Sequence, residues 1–152
     1  MSVLLALLLA AGERSAIGVY DAWGAFRDRT PPRCYAISAP LGKRKGPFAS
    51  VAARFGKDGR AALFVRLSVA RDTRAPVTLA IGERRFTLAG DARAAWSPDA
   101  ATDHAIVAAM RGGRSMSVSA VGANGRPFAD SYALGGAATA IDAAVLGCRA
   151  IG

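Results

Sequence analysis

Apolar and polar positions alternate with a period of two along most of this chain. The clearest run is residues 62–70. Leu63, Val65, Leu67 and Val69 share one face there, and Arg66 and Ser68 lie on the other. Such alternation marks a half-buried β-strand. Residues 77–81 alternate again, meet Gly82-Glu83, and return as residues 84–88. Glycine followed by a polar residue suits a two-residue type II′ hairpin. Val77, Leu79, Ile81, Phe86 and Leu88 then line one face. Residues 115–121 set Met116, Val118 and Ala120 against Ser115, Ser117 and Ser119, and Asn124-Gly125 turns this strand into a return over 128–134. Residues 23–27, 34–39 and 48–55 are further strand candidates. Pro31-Pro32 makes a turn between the first two, because proline fits neither a helix interior nor a central ladder. Residues 57–60 close the third strand. Residues 12–20 read as a short lead-in.

The period lengthens twice. Ser97-Pro98-Asp99 opens a helix with a capping hydroxyl, a proline at the first helical position and an acid facing the dipole. It runs to about Met110 with Ile106, Val107 and Met110 inward, and Gly112-Gly113 stop it. Near the end, Gly135-Gly136 terminate a strand. Thr139 or the preceding glycine opens a second helix, with Ile141, Val145 and Cys148 on one side. Six to eight short strands with two short helices, and no repeat or linker, predict a mainly β fold: a compact antiparallel β-sandwich or barrel. Much of the apolar content is alanine, so the core is expected to rest on Phe48, Phe55, Phe64, Phe86, Phe128, Tyr132, Trp23, Trp96 and the aliphatic positions between them.

Residues 2–11 form a ten-residue run without a charge. A bilayer span needs about 20, so the run suits the apolar region of a secretory signal instead. Small residues follow at Ala10, Gly12, Ala16 and Gly18, although no Lys or Arg precedes the run. The expected organisation is a signal peptide over residues 1–18 and one β-rich domain over residues 19–152, with a periplasmic or secreted location. The two cysteines, Cys34 and Cys148, show no Cys-x-x-Cys spacing. In an oxidising compartment an even count favours a disulfide. Closing so long a loop contributes about 4–5 kcal/mol in the chain-entropy model.

The formal charge is +9, and seventeen of the twenty basic residues are arginine. Alongside the alanine and glycine content, this is the bias a GC-rich genome produces without selection for binding. A solvated basic surface is therefore expected, with no nucleic-acid partner. Lys43, Arg44 and Lys45 form the densest basic cluster, a candidate anion-binding loop without a flanking aromatic ladder. Catalytic constellations are sparse. His104 is the single histidine, and no Gly-x-Ser-x-Gly, phosphate loop or zinc spacing accompanies it. Asp28, Asp58, Asp72, Asp91, Asp99 and Asp103 fall in or beside expected turns and caps. No catalytic, metal or cofactor residue is assigned.

The stretch from Arg111 through Gly112-Gly113 to Ser119, then Asn124-Gly-Arg-Pro-Phe, Ser131-Tyr-Ala-Leu-Gly-Gly and Thr139-Ala-Ile-Asp-Ala, resembles the C-terminal half of the invasion-associated locus B family. Trp23 followed by Cys34 is similar to that family's N-terminal elements. The chain departs from the pattern at Gly136, where an aromatic is usual, and in having fewer cysteines. The resemblance implies an envelope location and a β-rich fold. It brings no catalytic residue to transfer. The expected function is that of a non-enzymatic envelope protein that binds an envelope protein or surface component, or supports envelope integrity. Its charge also admits peripheral membrane contact. The alternatives are a hydrolase with an unrecognised site and a polyanion binder using the Lys43–Lys45 loop.

Overall fold

The computed structural model describes residues 14–30, 32–42, 45–53 and 61–149. Residues 1–13 of the expected signal peptide, Pro31, Lys43, Arg44, Phe55 and the turn at 57–60 lie outside the described residues. Among the described residues are ten strands: β1 (Arg14–Tyr20), β2 (Trp23–Arg29), β3 (Pro32–Ser38), β4 (Phe48–Ala53), β5 (Ala61–Arg66), β6 (Val77–Ile81), β7 (Arg84–Gly90), β8 (Ala94–Trp96), β9 (Ser115–Val121) and β10 (Pro127–Ala133). Two helices, α1 (Ala100–Gly112) and α2 (Ala137–Arg149), accompany them. The strands form one antiparallel sheet in the order β1-β2-β3-β4-β5-β8-β7-β6-β9-β10. The sheet is not closed into a barrel, so the sandwich-like form of the expected mainly β fold is the one adopted.

The chain meanders from β1 to β5, crosses over to β6, and meanders back through β7 to place β8 beside β5. The crossover is pinned by Arg71, which is buried. Its guanidinium donates to the carbonyls of Asp91 (2.7 Å), Ala75 (2.9 Å) and Asp72 (3.3 Å). Three oriented carbonyl dipoles thus replace water around this cation. Asp130, also buried, accepts from the Ser68 backbone N–H at 2.9 Å and from its hydroxyl. These contacts explain why the strand expected over 62–70 ends at Arg66. Beyond it, Leu67 N–H donates to Arg93 and Ser68 N–H to Asp130, so the ladder has lost its donors.

One core runs under the whole sheet. Trp23, Ala25, Cys34, Ala36, Val51, Leu63 and Val65 face it from one half, and Val77, Leu79, Leu88, Met116, Val118 and Tyr132 from the other. Ile106 and Met110 of α1 and Ala140, Ile141, Ala144 and Cys148 of α2 complete it. The small residues of β2–β4 and α2 let the helix lie close to the sheet. Cys34 and Cys148 are bonded there with Cα atoms 5.8 Å apart, within the range a disulfide requires.

Both sheet ends are managed. The carbonyls of β10 and the residues beside it accept from Leu41 N–H (Ser131 O, 2.7 Å), Trp23 Nε1 (Ala133 O, 2.8 Å) and Ala22 N–H (Gly135 O, 3.3 Å). β1 carries a register shift between Ala16 and Gly18, which turns Ile17 toward Gly147 of α2. Bulges of this kind blunt an edge. The stretch read as a lead-in is therefore a strand from Arg14 onward, which the charged and glycine-interrupted pattern there concealed.

Two local expectations shift and one holds. α1 is capped by Asp99, whose side chain accepts from Thr102 N–H at 2.7 Å, and not by Ser97. Aspartate caps as well as serine does, and here it stands in the extended conformation a cap needs. Gly82 has a φ of +58° and Glu83 has no positive φ, as a type II′ turn demands. Asn124-Gly125 instead sits in a longer loop. There Gly125 N–H donates back to Gly122 at 2.8 Å, and Gly125 alone takes a positive φ, +79°. The departure at Gly136 has a local cause. Its φ is +86°, and a Cβ there would run into the Tyr20 carbonyl oxygen.

Candidate interaction surface

Directly paired residues of antiparallel strands share a face, as do alternate residues along a strand. Those two rules assign the sheet's outer face, away from the core. Asp28 pairs with Arg14 and Arg33. Phe26 pairs with Ala16 and Tyr35, and Tyr35 with Ala52. Ile37 pairs with Ser50, Ser50 with Phe64, and Phe64 with Trp96. Phe48 pairs with Arg66. Five aromatic residues on β2, β3, β4, β5 and β8 therefore stand on one outer surface. Phe64 and Trp96 are each 37% exposed. Phe26 stacks on Tyr35 with ring centroids 6.0 Å apart, and Phe48 tilts against Phe64 at 5.9 Å. These rings support one another in two pairs.

At one end of this surface the ionic groups are organised around Asp28. Its Oδ1 accepts from Arg14 Nε and its Oδ2 from Arg33 Nε, both at 3.1 Å. Tyr35 Oη donates to the same carboxylate at 3.3 Å. Burial alone would raise the Asp28 carboxyl, but the hydrogen bonds and charges of Arg14 and Arg33 outweigh it, so it sits below the usual carboxylate range. The Arg33 guanidinium lies 5.3 Å from the Tyr35 ring centroid and that of Arg14 lies 6.0 Å from it. Tyr35 is therefore covered, although it faces outward. The arrangement neutralises the one acid of the surface and leaves arginine in excess.

The other half of the outer face differs in kind. Thr78 pairs with Thr87 and Ser119, and Ala80 with Arg85 and Ser117. Ser117 pairs with Ser131, and Ser119 with Ala129. Small side chains and hydroxyls cover β6, β9 and β10, where rings cover β2–β5 and β8.

Of the residues singled out from sequence, Cys34 and Cys148 are brought together. Lys45 is exposed, whereas Lys43 and Arg44 lie outside the described residues. His104 is exposed on α1 and borders a groove of about 510 Å³ between the helices, with Asp103, Val107, Arg111, Asp142 and Val145. Two of the groove's acids are engaged in holding the fold. Asp103 accepts from Leu63 N–H at 2.9 Å, and Asp142 takes a two-armed contact from Arg111 at 2.7 and 3.2 Å. Asp72, Asp91 and Asp99 cap local turns, as their positions suggest. Asp28 does not; it belongs to the outer surface. Among the described residues no three His, Cys, Asp or Glu side chains are grouped so as to hold a metal ion, and no helix is long and apolar enough to cross a membrane.

Phe64 and Trp96 were expected in the core, and they are not there. Of the seven described aromatic residues expected there, Trp23 and Tyr132 are fully buried, Phe86 and Phe128 pack against the core, and Phe48 stands on the outer face with Phe64 and Trp96. The signal that could have found this was in the alternation itself. If Leu63 and Val65 point inward, Phe64 must point outward with Arg66.

An antiparallel β sheet with two helices on its inner side and an aromatic outer surface defines a small β-rich domain. The family model for the invasion associated locus B (IalB) protein matches residues 25–145, and the chain belongs to that family. A solved structure described as invasion associated protein B from Bartonella henselae is similar to it. The TM-score is 0.69 and the identity 15%, over 90% of this chain and 99% of that one. At that identity the likeness establishes the fold alone. No curated protein matches this chain.

Proposed function

We propose that this protein is an exported, envelope-located member of the invasion associated locus B family that acts by binding rather than catalysis. Its working surface is the outer face of β2–β5 and β8. The observation that carries this reading is the pair Phe64 and Trp96, each more than a third exposed beside Phe26, Phe48 and Ile37 on a sheet whose inner side is already filled. Exposed apolar surface of this extent needs a reason, and a partner is the usual one. The disulfide between Cys34 and Cys148 suits an oxidising compartment.

Two measurements test this reading. The intact mass of protein from the envelope fraction should lack about the first 11–18 residues. A full-length mass in the cytosolic fraction would count against export. The double variant Phe64→Ser/Trp96→Ser should remain folded and lose its retention on washed envelope. Undiminished retention would remove this face from the account. Among the described residues, an enzyme reading would use the groove beside His104. Replacing His104 with Ala should leave every phenotype of the protein unchanged.

A further inference from the structure

We propose that the aromatic face takes an acidic polysaccharide, a chain of sugar rings carrying carboxylates at wide spacing. This rests on the reading of that face as the working surface, and it names the partner's chemistry. Sugar rings present polarised C–H bonds on their faces, which meet the negative faces of aromatic rings. Phe26, Phe48, Phe64 and Trp96 lie on β2, β4, β5 and β8 of the five neighbouring strands β2-β3-β4-β5-β8, and Tyr35 on β3 lies beneath Arg14 and Arg33. Four inter-strand spacings of about 4.8 Å give a track of about 19 Å. Ser50 stands between Ile37 and Phe64 on the same face and offers a neutral hydroxyl to sugar hydroxyls. Arg14, Arg33 and Arg66 supply positive charge, and Asp28 is the opposing acid.

Charge decides between partners. Among the described residues of this surface, three arginines less one aspartate leave a surplus of two. A nucleic-acid strand carries a charge on every nucleotide, a denser repeat than the two charges in excess among the described residues of this surface. An acidic glycan with a carboxylate on alternate sugars matches the surplus. A membrane surface asks for apolar groups that reach about 5–10 Å into the headgroup layer. Phe64 and Trp96 are instead partly sunk into a sheet face. A second copy would bring Arg66 and its neighbours against the same charges, in a chain of formal charge +9.

The test uses the mature protein and measured binding to hyaluronan, in which a carboxylate alternates with an uncharged amino sugar. Dextran, a poly-dT oligonucleotide and phosphatidylglycerol vesicles are run alongside. Hyaluronan should bind more tightly than dextran. Phe64→Ser/Trp96→Ser should weaken it about tenfold or more. Ser50→Asp, which keeps every ring and sets a carboxylate in the track, should weaken it similarly, so the test survives if the double variant does not fold. Hyaluronan binding that neither variant alters would overturn the proposal, and so would absence of hyaluronan binding. If the oligonucleotide or the vesicles bind instead, and the same variants abolish it, the polysaccharide is wrong while the working surface stands. Loss of envelope retention in the variants without any hyaluronan binding gives that same separation.

Discussion

The two halves of the sheet bury alike and expose differently. Leu63 and Val65 on one half and Leu79 and Val118 on the other are equally buried, all against one core. Turned over, the first half shows Phe26, Phe48, Phe64 and Trp96, and the second shows Thr78, Ser117, Ser119 and Ser131. Folding places the same demand on both inner faces. It places little on the outer ones, where hydroxyl and small side chains suffice. The aromatic residues on the first half exceed what folding asks of an outer face, and the proposed binding role rests on that excess. The Asp28 cluster strengthens the contrast: Arg14 and Arg33 are held in place at the end of the aromatic surface. No acid lies in the corresponding rows of β6, β9 and β10.

The largest test of the comparison concerns what lies beneath it. The disulfide clamps α2 to β3, on the aromatic half only. Its loss, by reduction or by Cys34→Ala or Cys148→Ala, should cost about 4 kcal/mol. The double variant should add little to either single change, measured by thermal unfolding. Leu63→Ala and Leu79→Ala come next, at about 3 kcal/mol each in urea unfolding. Near equality is the expected result. A cost below about 1 kcal/mol at Leu63 would show that the halves differ inside as well as outside. Smaller again are the outer substitutions. Ser117→Ala should stay within about 0.5 kcal/mol of the parent, and Trp96→Ser within about 1 kcal/mol, because half-exposed rings return only part of their burial.

The smallest effect sharpens the inner side. Tyr132 is fully buried, and its hydroxyl has no hydrogen-bond partner among the described residues. Burial, with Asp130 nearby, pushes its phenol above the ordinary tyrosine value. A raised folded pKa means that stability from this group is complete below about pH 10, the unfolded value, and is lost as pH rises beyond it. Tyr132→Phe should be neutral or stabilising by up to about 1 kcal/mol at neutral pH. It should also flatten the decline in stability above about pH 10. A variant that is destabilised and keeps the full alkaline decline would mean the hydroxyl is satisfied in solution.

Period-two alternation made most strands legible. Val77 to Leu88 and Ser115 to Val121 could be read with their correct inward sets. What failed did so for specific reasons. β8 is three residues long, too short for any period to show. β1 carries a bulge that breaks its alternation between Ala16 and Gly18. Phe64 was assigned to the core by its size when its neighbours' parity placed it outside. The aromatic surface was hidden for a related reason: it is assembled from five strands, and each contributes one ring. No local stretch of sequence contains it, and only the register of β2 through β8 brings it together.

The comparison is tested most directly by a photo-crosslinking residue, p-benzoylphenylalanine, placed at position 96 or at position 117 and illuminated in intact cells. Its benzophenone inserts into C–H bonds of any class of partner. The account expects adducts from position 96 and few or none from position 117, with those at 96 suppressed by Phe64→Ser in the same chain. Adducts of equal yield from both positions, or from 117 alone, would contradict the claim that the aromatic half of the sheet is the surface this protein works with.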